Sequence, residues 1–178
     1  MQAVKGFFDE HAEDIDNLAA RTAACLEDGG KILLCGNGGS ACDALHIAGE
    51  FVGRFVKDRR ALPAMALSAD AGILTAVGND YGFEQVFSRQ VEAHGNKGDI
   101  LIAISTSGQS PNIIRALEVA KKRGLYTVML TGEKGSKVKK SNLRLVVPST
   151  VTARIQEVHI FALQLLCGLV EQKMGIGQ

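Results

Sequence analysis

Apolar residues fall into two rhythms along the chain. From Val4 to Leu26 they recur at near-helical spacing (Phe7, Phe8, Ile15, Leu18, Ala19, Leu26), acids are enriched early, and Gly29-Gly30 ends the stretch. Five short runs then interrupt the helical rhythm: Lys31–Cys35, Pro63–Leu67, Asp99–Ile104, Tyr126–Leu130 and Leu143–Val147. Each is apolar enough for a strand buried on both faces. Between them, helical patterns cover Ala41–Phe51, Phe83–His94 and the stretch from Ser110-Pro111 to Arg123, and Ala153–Lys173 closes the chain. Gly72–Val77 is a short apolar stretch whose successor, Gly78-Asn79-Asp80-Tyr81-Gly82, reads as a turn. Strands alternating with helices predict an α/β fold with a five-stranded parallel sheet covered on both faces.

Two helices stand apart. The first precedes the first strand, so it belongs to no βα unit and its apolar face needs another cover, for which a partner subunit is a candidate. The last is apolar almost all round (Ile155, Val158, Ile160, Phe161, Leu163, Leu165, Leu166, Leu169), which predicts burial against the sheet and between subunits. Gln156, His159 and Gln164 are polar exceptions on it. At about 100° per residue, His159 and Gln164 fall on opposite sides of Gln156, so His159 reads as a hydrogen-bonded core histidine.

Composition narrows the class. The 178 residues suit a single domain, with the N-terminal helix (1–29) added to an α/β core (30–178). Hydrophobic residues at 46% and charged residues at 22% are ordinary for a globular chain. No apolar run reaches the ~18 residues of a membrane span and the N-terminus lacks signal-peptide features, so a cytoplasmic location is expected. A net charge of +1 argues against a general nucleic-acid binder, and the Lys134–Lys140 cluster reads as a solvated face. Cys25, Cys35, Cys42 and Cys167 show no CxxC spacing, so reduced thiols are expected.

Candidate chemistry concentrates in two loops. After the third strand comes Ser105-Thr106-Ser107-Gly108-Gln109-Ser110, followed by Pro111. Ser110 can cap the next helix and Pro111 suits its first position. A neutral, hydroxyl-rich loop at a helix N-terminus, with Gly108 allowing close approach, suits a phosphate ester. After the first strand comes Gly36-Asn37-Gly38-Gly39-Ser40, where Ser40 can cap the following helix. GNGGSA also fits the dinucleotide fingerprint, but the acid at the second strand's end, Asp70, comes about ten residues too late for it. Along that helix Asp43, His46 and Glu50 share one face, with Ala44, Leu45, Ala48 and Val52 opposite. A histidine and a carboxylate one turn apart can share a metal ion or a proton-transfer task. Arg54, just beyond, can reach an anion.

Taken together, STSGQS, GNGGS, His46-x-x-x-Glu50, Gly78-Asn79-Asp80 and Arg154-Ile155-Gln156-Glu157-x-His159 resemble the sugar isomerase (SIS) domain, and within it the bacterial phosphoheptose isomerases. The likeness runs over nearly the whole chain and displaces the dinucleotide reading. It implies a flavodoxin-like doubly wound fold, a homotetramer with active sites between subunits, and conversion of sedoheptulose 7-phosphate to D-glycero-D-manno-heptose 7-phosphate for surface polysaccharide. It further implies that Ser105, Thr106, Ser107 and Ser110 hold the phosphate, that Asn37, Gly38, Gly39, Asn79 and Asp80 line the sugar site, that Glu50 moves the proton, and that His46, Glu50 and Gln156 bind zinc. One position departs: the family's fourth zinc ligand and second proton-transfer group is a histidine eight residues after the glutamine, where this chain has Gln164. A tetrameric relative that binds the replication initiator also lacks that histidine. This leaves a non-catalytic tetramer, or a sugar-phosphate-binding regulatory domain, as the alternative. The retained Asp43, His46 and Glu50 favour the enzyme.

Overall fold

The computed structural model describes residues 2–176. Helix α1 (Gln2–Glu27) is followed by β1 (Ile32–Gly36), α2 (Gly39–Val52), β2 (Ala64–Ala66), α3 (Ala71–Tyr81), α4 (Ser88–His94), β3 (Ile100–Ile104), α5 (Pro111–Lys122), β4 (Tyr126–Gly132), β5 (Leu143–Val147) and α6 (Thr152–Lys173). All pairings are parallel, in the order β2-β1-β3-β4-β5. The order reverses between β1 and β3, so the loops leaving those two strands flank the crevice where such sheets bind ligands.

Alternation along the strands feeds two cores. Ile32, Leu34, Ile100, Ile102, Ile104, Val128 and Leu130 face a layer of α1, α2 and α6. Leu33, Cys35, Leu101, Ala103 and Met129 face α4 and α5 on the other side. The expected five-stranded parallel sheet, covered on both faces, is therefore what forms.

The N-terminal helix covers one apolar face within its own chain. Phe7, Ile15, Leu18 and Leu26 pack in the same core as α6 residues Ile155, Leu163 and Leu166. His11, also buried, accepts a hydrogen bond at Nε2 from the backbone N–H of Val146 (3.1 Å) and donates from Nδ1 to Asp14 (3.0 Å). β5 is an edge strand, and an unpaired edge N–H invites pairing with another chain. His11 blunts that edge.

Four local expectations fail. The segment Gly78–Tyr81 is not a turn but the last part of α3, which Asp70 starts by accepting from the Ile73 N–H (2.9 Å) and which Gly82 stops at φ 92°. The true terminator is that glycine, whose positive φ few L side chains adopt. The pattern over Phe83–His94 breaks into a 3₁₀ turn (Phe83–Gln85) and the short α4. Neither Ser40 nor Ser110 caps by its side chain: α2 begins one residue before Ser40, and Ser110 holds the cap position of α5 only through its backbone carbonyl. α6 is long and apolar enough to cross a membrane by length and composition, contrary to the reading of the runs, but its Ile155, Val158, Leu163 and Leu166 are core residues packed with α1 and the sheet.

Candidate functional site

The two loops meet at the switch point as predicted. In the β3–α5 loop, the Ser105 hydroxyl accepts from the Gly108 N–H (3.2 Å) and lies 3.4 Å from the Ser110 hydroxyl, while Ser107 Oγ accepts from the Gln109 N–H (3.2 Å). Thr106, Ser107 and Ser110 are half-buried at the head of α5, and Ser105 is buried. Gly108 is required by packing. It is buried at φ 66°, and a Cβ there would lie 2.5 Å from the Cα of Gly135 in the segment after β4. The Gly132 N–H also donates to the Thr106 carbonyl (3.1 Å), so the loop is braced by its β4 neighbour.

The β1 loop is tied to the same helix start. Asn37 and Asn112 exchange two amide hydrogen bonds, each 2.9 Å, and the Asn112 oxygen also accepts from the Ile113 N–H (3.0 Å). Asn112 is only 2% exposed. Asn37, expected to face the sugar, thus spends its side chain chiefly on this bridge. Gly38 and Gly39 are exposed beside it, with Gly38 at φ 55°.

On α2, the His46 Nε2–H donates to Glu50 Oε1 at 2.9 Å, with the side chains 47% and 22% exposed. Asp43, one turn earlier, has its Oδ2 buried without a hydrogen-bond partner, and burial pushes its carboxyl above the usual range, with His46 pulling partly the other way. Leu45 and Val52, expected opposite this face, are exposed as well, whereas Ala44 and Ala48 enter the core. Gln156 of α6 lies against the start of α2, so close that a Cβ on Gly39 would fall 2.3 Å from its Nε2. That contact is seven residues before His46, about 10 Å along the helix. Gln164 is half-buried further along α6. Asn79 and Asp80 sit exposed at the end of α3, joined by a 2.7 Å hydrogen bond. Among the described residues, no three His, Cys, Asp or Glu side chains cluster closely enough to hold a metal ion.

His159 is buried as expected; its one polar neighbour among the described residues is the Thr131 backbone, short of good hydrogen-bond geometry, and burial outweighs that contact and pushes its pKa down to about 4. It is a neutral core residue, not part of the loops. A cleft of about 920 Å³ lies at the opposite end of the sheet, between Asp14, Arg21 and Asp28 of α1 and its C-terminal turn and Tyr126 and Asn142.

The profile of the SIS domain family matches residues 1–132. Curated relatives include a phosphoheptose isomerase from Nitratiruptor sp., 58% identical over 83% of this chain and 79% of its own length. Another, from Citrifermentans bemidjiense, is 49% identical over 99% of this chain and 91% of its own length. The chain belongs to the SIS-domain family, among the phosphoheptose isomerases. Solved phosphoheptose isomerases from Neisseria gonorrhoeae and Francisella tularensis superpose with TM-scores of 0.87 and 0.90 at 42% and 40% identity, each covering 96% of this chain and 92% of the other. The fold expectation therefore holds along nearly the whole length.

Sequence reasoning found the two loops and the α2 face but missed Asn112, Arg59 and Glu171. Arg59 and Glu171 form an ion pair with side chains 4% and 5% exposed (Nε to Oε1 2.8 Å). Arg59 also donates to the carbonyls of Glu50 (2.7 Å) and Phe51 (2.8 Å), at the end of the helix that carries His46 and Glu50. The only hint in the sequence was a glutamate inside an apolar helix.

Proposed function

We propose that the chain is an aldose–ketose isomerase converting sedoheptulose 7-phosphate to D-glycero-D-manno-heptose 7-phosphate, for heptose and surface polysaccharide biosynthesis in the cytoplasm. The observation that carries the reading is the pairing of His46 with Glu50 on the helix that leaves the β1 loop, beside a hydroxyl-lined α5 N-terminus across the switch point. Ser105, Thr106, Ser107 and Ser110 would take the phosphate, whose charge suits the helix start. Gly38, Gly39 and Asn37, with Asn79 and Asp80 from α3, would line the sugar.

Interconverting ketose and aldose requires removal of a proton at one of C1 and C2, its return at the other, and proton movement between their oxygens. Glu50 is the base: its carboxylate is partly open to solvent, and its helix is held at its C-terminal end by Arg59. His46, hydrogen-bonded to Glu50, orients that carboxylate. Gln164 cannot accept or release a proton near neutral pH. Asp43, one turn from His46 with a buried, unpartnered Oδ2, is the group that would take over if position 164 proves not to limit the rate.

The donor types suit zinc: an imidazole nitrogen and a carboxylate oxygen from His46 and Glu50, with amide oxygens of Gln156 and Gln164 as weaker ligands. When bound, the ion would supply charge stabilisation to the enediol oxygens. One chain brings only His46 and Glu50 into contact, and exposed apolar side chains flank them on α2 (Leu45, Val52) and on α6 (Phe161, Leu165). Burying these is the rationale for a homotetramer that completes the site. Proton NMR with sedoheptulose 7-phosphate, with and without added zinc, tests the reading: the aldose product should accumulate, and Glu50→Gln should abolish it. Binding of the substrate with no turnover under either condition would favour a regulatory sugar-phosphate domain instead.

A further inference from the structure

The reciprocal amide pair between Asn37 and Asn112 joins residues 75 positions apart and links the loops that leave β1 and β3, the strands on either side of the switch point. Each amide gives one N–H and receives one, so the two side chains form a closed ring that fits in a single relative placement. Asn112 is buried, sits second in α5 after Pro111, and is itself oriented by the Ile113 N–H. A buried ring of this kind carries directional information that an apolar contact would not. It fixes the β1 loop against the very turn whose hydroxyls would take the phosphate.

We propose that the Asn37–Asn112 pair is a positioning device that sets the separation between the phosphate-holding turn and the sugar-holding loop, and thereby selects sugar phosphates by chain length. This rests on the functional reading above. A ligand that touches both loops must span the distance the ring enforces, whereas inorganic phosphate touches only the α5 side. Asn112 touches neither ligand; it acts through Asn37.

Asn112→Asp separates this role from simple packing. The carboxylate is nearly isosteric and still accepts from Ile113 and from the Asn37 N–H, but when ionised it faces the Asn37 oxygen with a second acceptor and the ring opens. Once protonated, a carboxyl donates and accepts in the amide's pattern and the ring closes again. Burial and the facing acceptor raise that carboxyl's pKa in the closed state, so the closed state is favoured below it and lost as pH rises through it.

Calorimetry of parent and variant at pH 8 and pH 5 would use five-, six- and seven-carbon ketose phosphates and inorganic phosphate as ligands, each ratio taken between variant and parent at the same pH. The parent should prefer the seven-carbon ester. At pH 8 the variant should lose about tenfold on that ester, the scale of a hydrogen bond lost with its partner left unsatisfied, keep its affinity for inorganic phosphate, and discriminate less by length. At pH 5 the loss should largely disappear. Asn37→Asp puts the same carboxyl on the other side of the ring and should show the same pH-dependent loss if Asn112→Asp does not fold. Equal discrimination by parent and variant, or a loss independent of pH, overturns the inference while leaving the function intact. A parent that binds inorganic phosphate but no sugar phosphate overturns both.

Discussion

Removing the Arg59 guanidinium should be among the most damaging single changes available in this chain. The group is buried and serves two elements at once: the Glu171 carboxylate on α6 and the carbonyls of Glu50 and Phe51 near the end of α2. Glu171 otherwise has only the N–H groups of Phe55 and Val56, at 3.2 and 3.3 Å. Burial alone pushes the Glu171 carboxyl up, but the hydrogen bonds from Arg59, Phe55 and Val56 and the Arg59 charge together bring it below its usual value. In Arg59→Ala the carboxylate is left buried without its cation, which typically costs about 3–5 kcal/mol. For a chain of this size that corresponds to roughly 6–20 °C in Tm. The assay is thermal and urea unfolding of parent and variant from pH 7 down to pH 4. In the parent, a depressed carboxyl contributes stability that is present above its unfolded pKa and lost as pH falls through the folded one. In the variant the same carboxyl is raised, so protonation relieves it and the gap between the two proteins should narrow as pH falls. A loss under about 1 kcal/mol, as for a surface pair, or a gap that widens on acidification, would refute the reasoning.

Gln164→His should raise kcat on sedoheptulose 7-phosphate by on the order of 10² or more, because an imidazole can move the second proton, and should tighten zinc binding measured by competition with a chelating dye; equal rates would place the second proton elsewhere, with Asp43 the first candidate. Ser107→Ala combined with Ser110→Ala should weaken binding of sugar phosphates about tenfold or more in calorimetry with Tm unchanged, since neither hydroxyl supports the core. Gly39→Ala sets a methyl 2.3 Å from the Gln156 amide, so it should displace that side chain and lower turnover while the circular dichroism spectrum stays that of the parent. Light scattering at micromolar concentration should give four subunits, and a monomer would remove the rationale for a shared site.

What the sequence revealed was whatever is written locally. Runs such as Lys31–Cys35 and Asp99–Ile104 carry their own signal because a strand buried on both faces must be continuously apolar, and both became core strands. The loops were legible because glycines and hydroxyls cluster only where backbone freedom and polar contact are needed. The α3 boundary was not, because Gly78-Asn79-Asp80 has turn composition while the stop lies four residues on, at Gly82. Asn112 and Arg59 were invisible for another reason. Their partners, Asn37 and Glu171, lie 75 and 112 residues away, and no spacing rule reaches across a fold. Those long-range polar pairs hold in register the two elements, the β1 loop and α2, that local composition had already marked.

Helix α3 buries none of its side chains; Leu74 and Val77 merely lean on the second core. An eleven-residue helix is too short to persist in water by its backbone bonds alone. Its order comes from those two contacts and from the Asp70 cap and the Gly82 stop at its ends. Asn79 and Asp80 ride on this helix, so under the proposed function the sugar end of the site stands on the one α-helix that, among the described residues, buries no side chain. Amide exchange in α3 should therefore outpace that in α2 and α6.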